Sequence, residues 1–151
     1  MVSIGMRLLD DFNGQLTEIE ERIRSDFEPV LPELDLRFTT YAAWVAGDPM
    51  SSSLPPGSTE DDIVCVTPRS SFPIQIVDGV ETGCQRVAYE LQDQVMDDLG
   101  HPWPAFEVQG SLLVLVPDLD PWGTACWQVG DHFRCPVGYL RSALRIFSAI
   151  D

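Results

Sequence analysis

The chain has no lysine; all nine of its basic residues are arginines. That absence removes a P-loop lysine, a Schiff-base lysine and a lysine general base from the available chemistry. A high-GC genome explains it more simply than packing does, although the two cations differ physically. Also missing is any apolar run near the roughly 18 residues that cross a bilayer. The longest candidate, Ser111 to Pro117, has only the length of a strand. The N-terminus lacks the basic, apolar and small-residue order of a secretory signal, so a cytoplasmic protein is expected. Positive charge is scarce too: 24 acids against nine bases give −15. Direct nucleic-acid binding is disfavoured, because phosphate contacts require cations. An anionic membrane surface is disfavoured for the same reason. The charge favours a protein partner with a basic surface, or simply maintains solubility.

What is present is ordinary for a globular domain. The 151 residues are 44% hydrophobic and 22% charged, enough for one domain over 1–151 with its own core. Ile4, Leu8, Phe12, Leu16, Ile19, Ile23 and Phe27 recur every three or four residues and predict a helix over 3–27, stopped by Pro29 and Pro32. Residues 34–46 alternate as a half-buried strand, 47–62 form a Gly/Pro/Ser loop, 63–67 a short buried strand and 74–77 an extended edge.

Asp78 is the expected N-cap of a second helix, with Glu81 at the capping-box position. Val80, Cys84, Val87, Leu91 and Val95 make its apolar stripe, and Gly100 its C-terminal stop. A strand over 106–116 with a glycine bulge, a turn over 117–123, a hairpin over 124–135 turning at Gly130-Asp131 and a helix over 136–147 complete the pattern. The fold class is α+β: an antiparallel sheet of about five strands with an N-terminal, a central and a C-terminal helix.

Cys65 and Cys84 sit in apolar surroundings and read as small hydrophobes. In a two-residue hairpin Cys126 faces Cys135, within reach of a disulfide, or of two packed thiols in a reducing cytosol. Cys126, His132 and Cys135 also give C-x5-H-x2-C, a set that a zinc- or cysteine-dependent protein or enzyme would use. Paired C-x2-C knuckles are lacking, however, and alternation points His132 away from both thiols. Asp118, Asp120 and Gly123 echo a calcium loop, but Trp122 and Val129 occupy positions that need oxygen ligands, so a capped turn with a packed tryptophan is expected. No G-x-S-x-G elbow occurs. Glu90, Asp93 and Asp97 line one helical face and read as solvated. No catalytic set and no cofactor are implied.

The stretch DDLGHPWP, Asp97 to Pro104, is the most distinctive. Pro102 and Pro104 drive His101 and Trp103 out of the α region, so the corner is extended and stiff. Trp103 then either plugs the core beside the helix end or stands as a pre-ordered anchor, with Asp93, Asp97, Asp98 and His101 around it. ELQDQVMDDLGHPWP with the downstream GTACWQV and VGYL resembles a pattern in uncharacterised small proteins of high-GC bacteria: L-Q-D-x-V, then P-W-P, a tryptophan and a closing G-x-L. The likeness spans residues 88–140. Cysteine and histidine often follow P-W-P in that group, whereas Ala105-Phe106 follow here. The resemblance implies a bacterial or phage origin and no particular activity. The expectation is therefore a non-enzymatic acidic protein-binding domain, such as an accessory, immunity or inhibitor protein. The Cys126/His132/Cys135 protein is the alternative, and an inhibitor whose carboxylates mimic DNA phosphates is a third reading.

Overall fold

The structure, a computed structural model, describes residues 13–40, 63–74, 79–130 and 133–143. Helix α1 runs Asn13–Phe27 and buries Leu16, Ile19, Ile23 and Phe27, the stripe expected from the periodicity. Residues 3–12 of the expected helix lie outside the described residues, as do 41–46 of the next strand, the loop 47–62 and positions 75–78.

The class is α+β with antiparallel strands, but the strands do not form one five-stranded sheet. Among the described residues eight strands make three small sheets. The first is a meander of β1 (Arg37–Thr40), β2 (Ile63–Val66) and β3 (Ser71–Ile74). The second is a hairpin of β4 (Ala105–Val108) and β5 (Ser111–Val114). The third is a meander of β6 (Val116–Leu119), β7 (Ala125–Val129) and β8 (Phe133–Pro136). Helix α2 (Val80–Leu99) packs on α1 and against β3, β6 and β7.

Three local expectations change for physical reasons. Residues 106–116 are not one bulged strand. Gln109 and Gly110 both take positive φ, 52° and 81°, which makes a type I′ turn that folds the segment back on itself. Val108 accordingly pairs with Ser111. Residue 115 then joins β5 to β6, burying Leu115 while its N–H reaches the Pro104 carbonyl at 2.8 Å.

The second change is at the start of α2. Gly79, at φ 104°, occupies the N-cap position and makes no side-chain cap bond. The expected cap Asp78 lies outside the described residues. Glu81 is no capping-box residue either: its carboxylate receives Arg22 at 2.6 and 3.0 Å and the Ala125 N–H at 2.9 Å. The other end behaves as expected, with Gly100 left-handed and its N–H on the Met96 carbonyl.

The third change is in the final helix, which starts at Leu140 rather than at 136. Pro136 still belongs to β8, and Gly138 sits at φ 109° with its Cα pressed on Arg22, where an added Cβ would meet the Arg22 Cγ at 3.0 Å. That corner is gripped by α1. Asp26 is 3% exposed, and its carboxylate accepts from Trp127 Nε1 at 2.7 Å, Gly138 N at 2.6 Å and Leu140 N at 2.9 Å. Arg22 Nε and Ser25 Oγ hold the carbonyls of Val137 and Gly138. Burial raises the Asp26 carboxyl above its ordinary value, against the lowering effect of the three donors.

Replacing Asp26 with alanine strands three donors at once, each costing about 1–3 kcal/mol when left without an acceptor. Asp26→Ala should lower the free energy of unfolding in urea by about 4 kcal/mol. Glu81 makes a separate, pH-dependent contribution. Arg22 holds its carboxyl below the usual 4.5, so the stabilisation is complete above that value and lost as pH falls through the folded-state pKa. Glu81→Gln should flatten the acid limb of a stability–pH curve without abolishing it, because Asp98 and Asp120 are also held low.

Candidate functional site

Helix α2 ends in acid. Asp93, Asp97 and Asp98 are exposed on its final turns, and no basic residue occupies the last turn. Free carbonyls already make a helix C-terminus partly negative, so cations are favoured there and carboxylates are not. Asp98 is compensated from outside the helix: the two guanidinium nitrogens of Arg69 donate to its two oxygens at 2.6 Å each. That hydrogen bonding holds the Asp98 carboxyl below its ordinary range. A groove of about 230 Å³ opens beside the pair. Val30, Leu31, Leu34 and Pro68 supply its apolar wall, and Glu33 and the Arg69–Asp98 pair its polar rim. Most of the wall comes from the short connector after α1, and Pro68 from the turn between β2 and β3.

The proline-rich corner follows at once. His101 is exposed, with Nδ1 3.1 Å from the Pro102 carbonyl oxygen. The Trp103–Pro104 peptide is cis. Trp103 turns inward: its half-buried ring lies 5.1 Å from Phe27 and 5.8 Å from Trp127, centroid to centroid. Its carbonyl accepts from the buried Gln92 Nε2 at 3.0 Å, and the same amide reaches the Leu115 carbonyl at 2.7 Å. The structure thus gathers Asp93, Asp97, Asp98 and His101 on one exposed end and sends the Trp103 ring into the aromatic core.

The cysteine pairing expected of the last hairpin does not form. Val129 pairs with Phe133, so three residues rather than two separate the innermost pair, and the register moves by one. Cys126 faces Pro136, while Cys135 faces Trp127. Alternation then puts the two thiols on opposite faces of the sheet. All four cysteines are free and buried. His132 lies outside the described residues. Among the described residues no three His, Cys, Asp or Glu side chains are placed to hold a metal ion. Burial pushes the thiols of Cys65, Cys84 and Cys135 up to about 12 and that of Cys126 to about 11. A protonated, enclosed thiol is a poor nucleophile and a poor metal ligand.

One exposed residue was not anticipated. Trp122, expected to be packed, is 81% exposed. Its turn is the capped one expected: Asp120 Oδ1 accepts from the N–H groups of Trp122 and Thr124, both at 2.8 Å, and Oδ2 accepts from the Cys126 thiol at 3.7 Å. The backbone hydrogen bonds hold the Asp120 carboxyl low. The signal was legible in D-P-W-G. Asp, Pro and Gly occupy the first, second and fourth positions that a type I turn favours, which leaves tryptophan on the outer bend.

The thiols give a direct test. Ellman's reagent at neutral pH should label none of the four cysteines in the folded protein, and all four in denaturant. Rapid labelling of the folded protein at Cys126 or Cys135 would expose a reactive thiol and revive the cysteine-dependent reading. In comparisons with known proteins, the chain matches no family model, no curated protein and no solved structure.

Proposed function

We propose that this chain is a non-enzymatic acidic domain that binds a protein with a basic surface, as a small accessory, immunity or inhibitor protein does. One observation carries the reading: Asp93, Asp97 and Asp98 stand exposed toward the C-terminal end of α2, where Asp98 rims an open groove with an apolar wall. Carboxylates at that end work against the helix, so stability is given up locally. A cationic partner would recover it, through attraction to the acids and the carbonyl ends together. Apolar groups of the same partner would enter the groove beside Leu31 and Pro68, and the field of −15 would speed the encounter. Chemistry fits less well, because the thiols are buried, protonated and turned to opposite faces.

The test is capture from the native cell with the intact chain and with the double variant Asp93→Asn, Asp97→Asn as paired baits. The intact chain should retain a basic protein that high salt releases. Two rim charges worth about 0.5 kcal/mol each predict roughly fivefold weaker binding by the double variant. Equal retention of that protein by both baits, or a captured partner without a basic surface, would overturn the reading.

A further inference from the structure

We infer that the free face of the Trp122 indole is a docking point for an arginine or lysine side chain of a basic partner. This inference rests on the basic-partner reading above and assigns it a second contact, away from the end of α2. The ring stands outside the core at 81% exposure on a turn pinned by the Asp120 carboxylate. The backbone that carries the ring is already fixed before a partner arrives, so little chain freedom is lost on contact.

One ring face already receives a cation. The Arg134 guanidinium carbon lies 5.9 Å from the Trp122 centroid, within the range at which the π cloud attracts positive charge. At 81% exposure the opposite face is open to solvent. Val116, 49% exposed, lies on the sheet face that carries Arg134, since both pair with Gln128. On the outer face of the third sheet Val116 adjoins Gln128, and Asp118 receives the Gln128 amide at 3.2 Å. An exposed tryptophan on a pinned turn, with an arginine over one ring face, combines residue types enriched in binding hot spots.

Local charge selects the sign of the ligand. Asp118 and Asp120 flank the turn, Arg134 lies over its ring, and the whole chain carries −15. An anion drawn to Arg134 would have to approach against that field. A guanidinium or ammonium group stacked on the free ring face meets an attractive π surface and attractive carboxylates together.

The probe is a tetra-arginine peptide, titrated at fixed ionic strength into the full chain and into Trp122→Leu, with a tetra-glutamate peptide as the opposite-charge arm. Leucine keeps the position apolar and removes the ring. Because the site is exposed, thermal unfolding should be unchanged. Tetra-arginine should bind Trp122→Leu about threefold more weakly or worse, since an exposed cation–π contact is modest. Trp122→Phe, which keeps a π face, should recover part of the loss. A smaller loss in Trp122→Leu overturns this anchor and leaves the basic-partner reading standing. Tighter binding of tetra-glutamate than of tetra-arginine also overturns it, by making Arg134 the receptor of an anion. Failure of the intact chain to bind tetra-arginine at all sinks the basic-partner reading itself, and this anchor with it.

Discussion

The Asp26 carboxylate is the constraint on which the rest of the fold leans. Two oxygens from α1 satisfy the indole N–H of Trp127 on β7, the N–H of Gly138 and the first helical N–H at Leu140. Three segments remote in sequence are thereby tied at one point. A buried carboxylate without donors would be expensive, and so would three buried donors without an acceptor. Each side makes the other tolerable only in this arrangement, which makes the contact specific as well as stabilising. Around it the polar edge of α1 continues the grip through Arg22 and Ser25 on the Val137 and Gly138 carbonyls. Arg22 reaches on to Glu81, which in turn receives the Ala125 N–H. Helix α1, helix α2 and the third sheet therefore meet in one connected polar seam beside the aromatic cluster of Phe27, Trp103 and Trp127.

Periodicity revealed much of this, and sequence-remote pairing very little. The stripes of α1 and α2 are visible because burial on a helix repeats every three or four residues, and the structure buries Leu16, Ile19, Ile23, Cys84, Val87, Leu91 and Val95 as that rule requires. Strand grouping was not visible. Nothing local in 106–116 competes with a single strand unless Gln109-Gly110 is recognised as a substitute for the favoured Asn-Gly turn. The hairpin at 130 shows the same limit in sharper form. A difference of one residue in loop length moved Cys135 from opposite Cys126 to opposite Trp127, and with it one thiol to the other face. The role of Glu81 is ambiguous in sequence because a capping box and a remote ion pair both call for a glutamate there. Only the fold shows that Arg22 has arrived there.

The carboxylates divide into two populations. Asp26 and Glu81 are held by donors from remote parts of the chain and act as internal fasteners. Asp93 and Asp97 face water, and Asp97 does so in the last turn of α2, the helix end least suited to a carboxylate. Composition alone cannot separate these groups, since both add equally to the −15. The distinction matters because only the outward population is free to meet a partner, whereas removing a fastener would be read as lost binding when the true effect is lost folding.

The described tryptophans divide by the same logic. In P-W-P the two prolines remove N–H donors from both flanks, so the segment has few hydrogen bonds of its own to make. It is instead held from outside, by Gln92 on the Trp103 carbonyl and by Leu115 on that of Pro104. Such a segment lies against the body of the protein, and its ring goes inward to Phe27 and Trp127. In D-P-W-G a single proline and an Asp side chain close a tight turn from within, so the turn needs no support from the core and projects its ring into water. How each segment satisfies its backbone decides which way its ring faces. On that ground an exposed tryptophan in a self-capped turn has a stronger claim to a partner than one held between prolines that depend on the core.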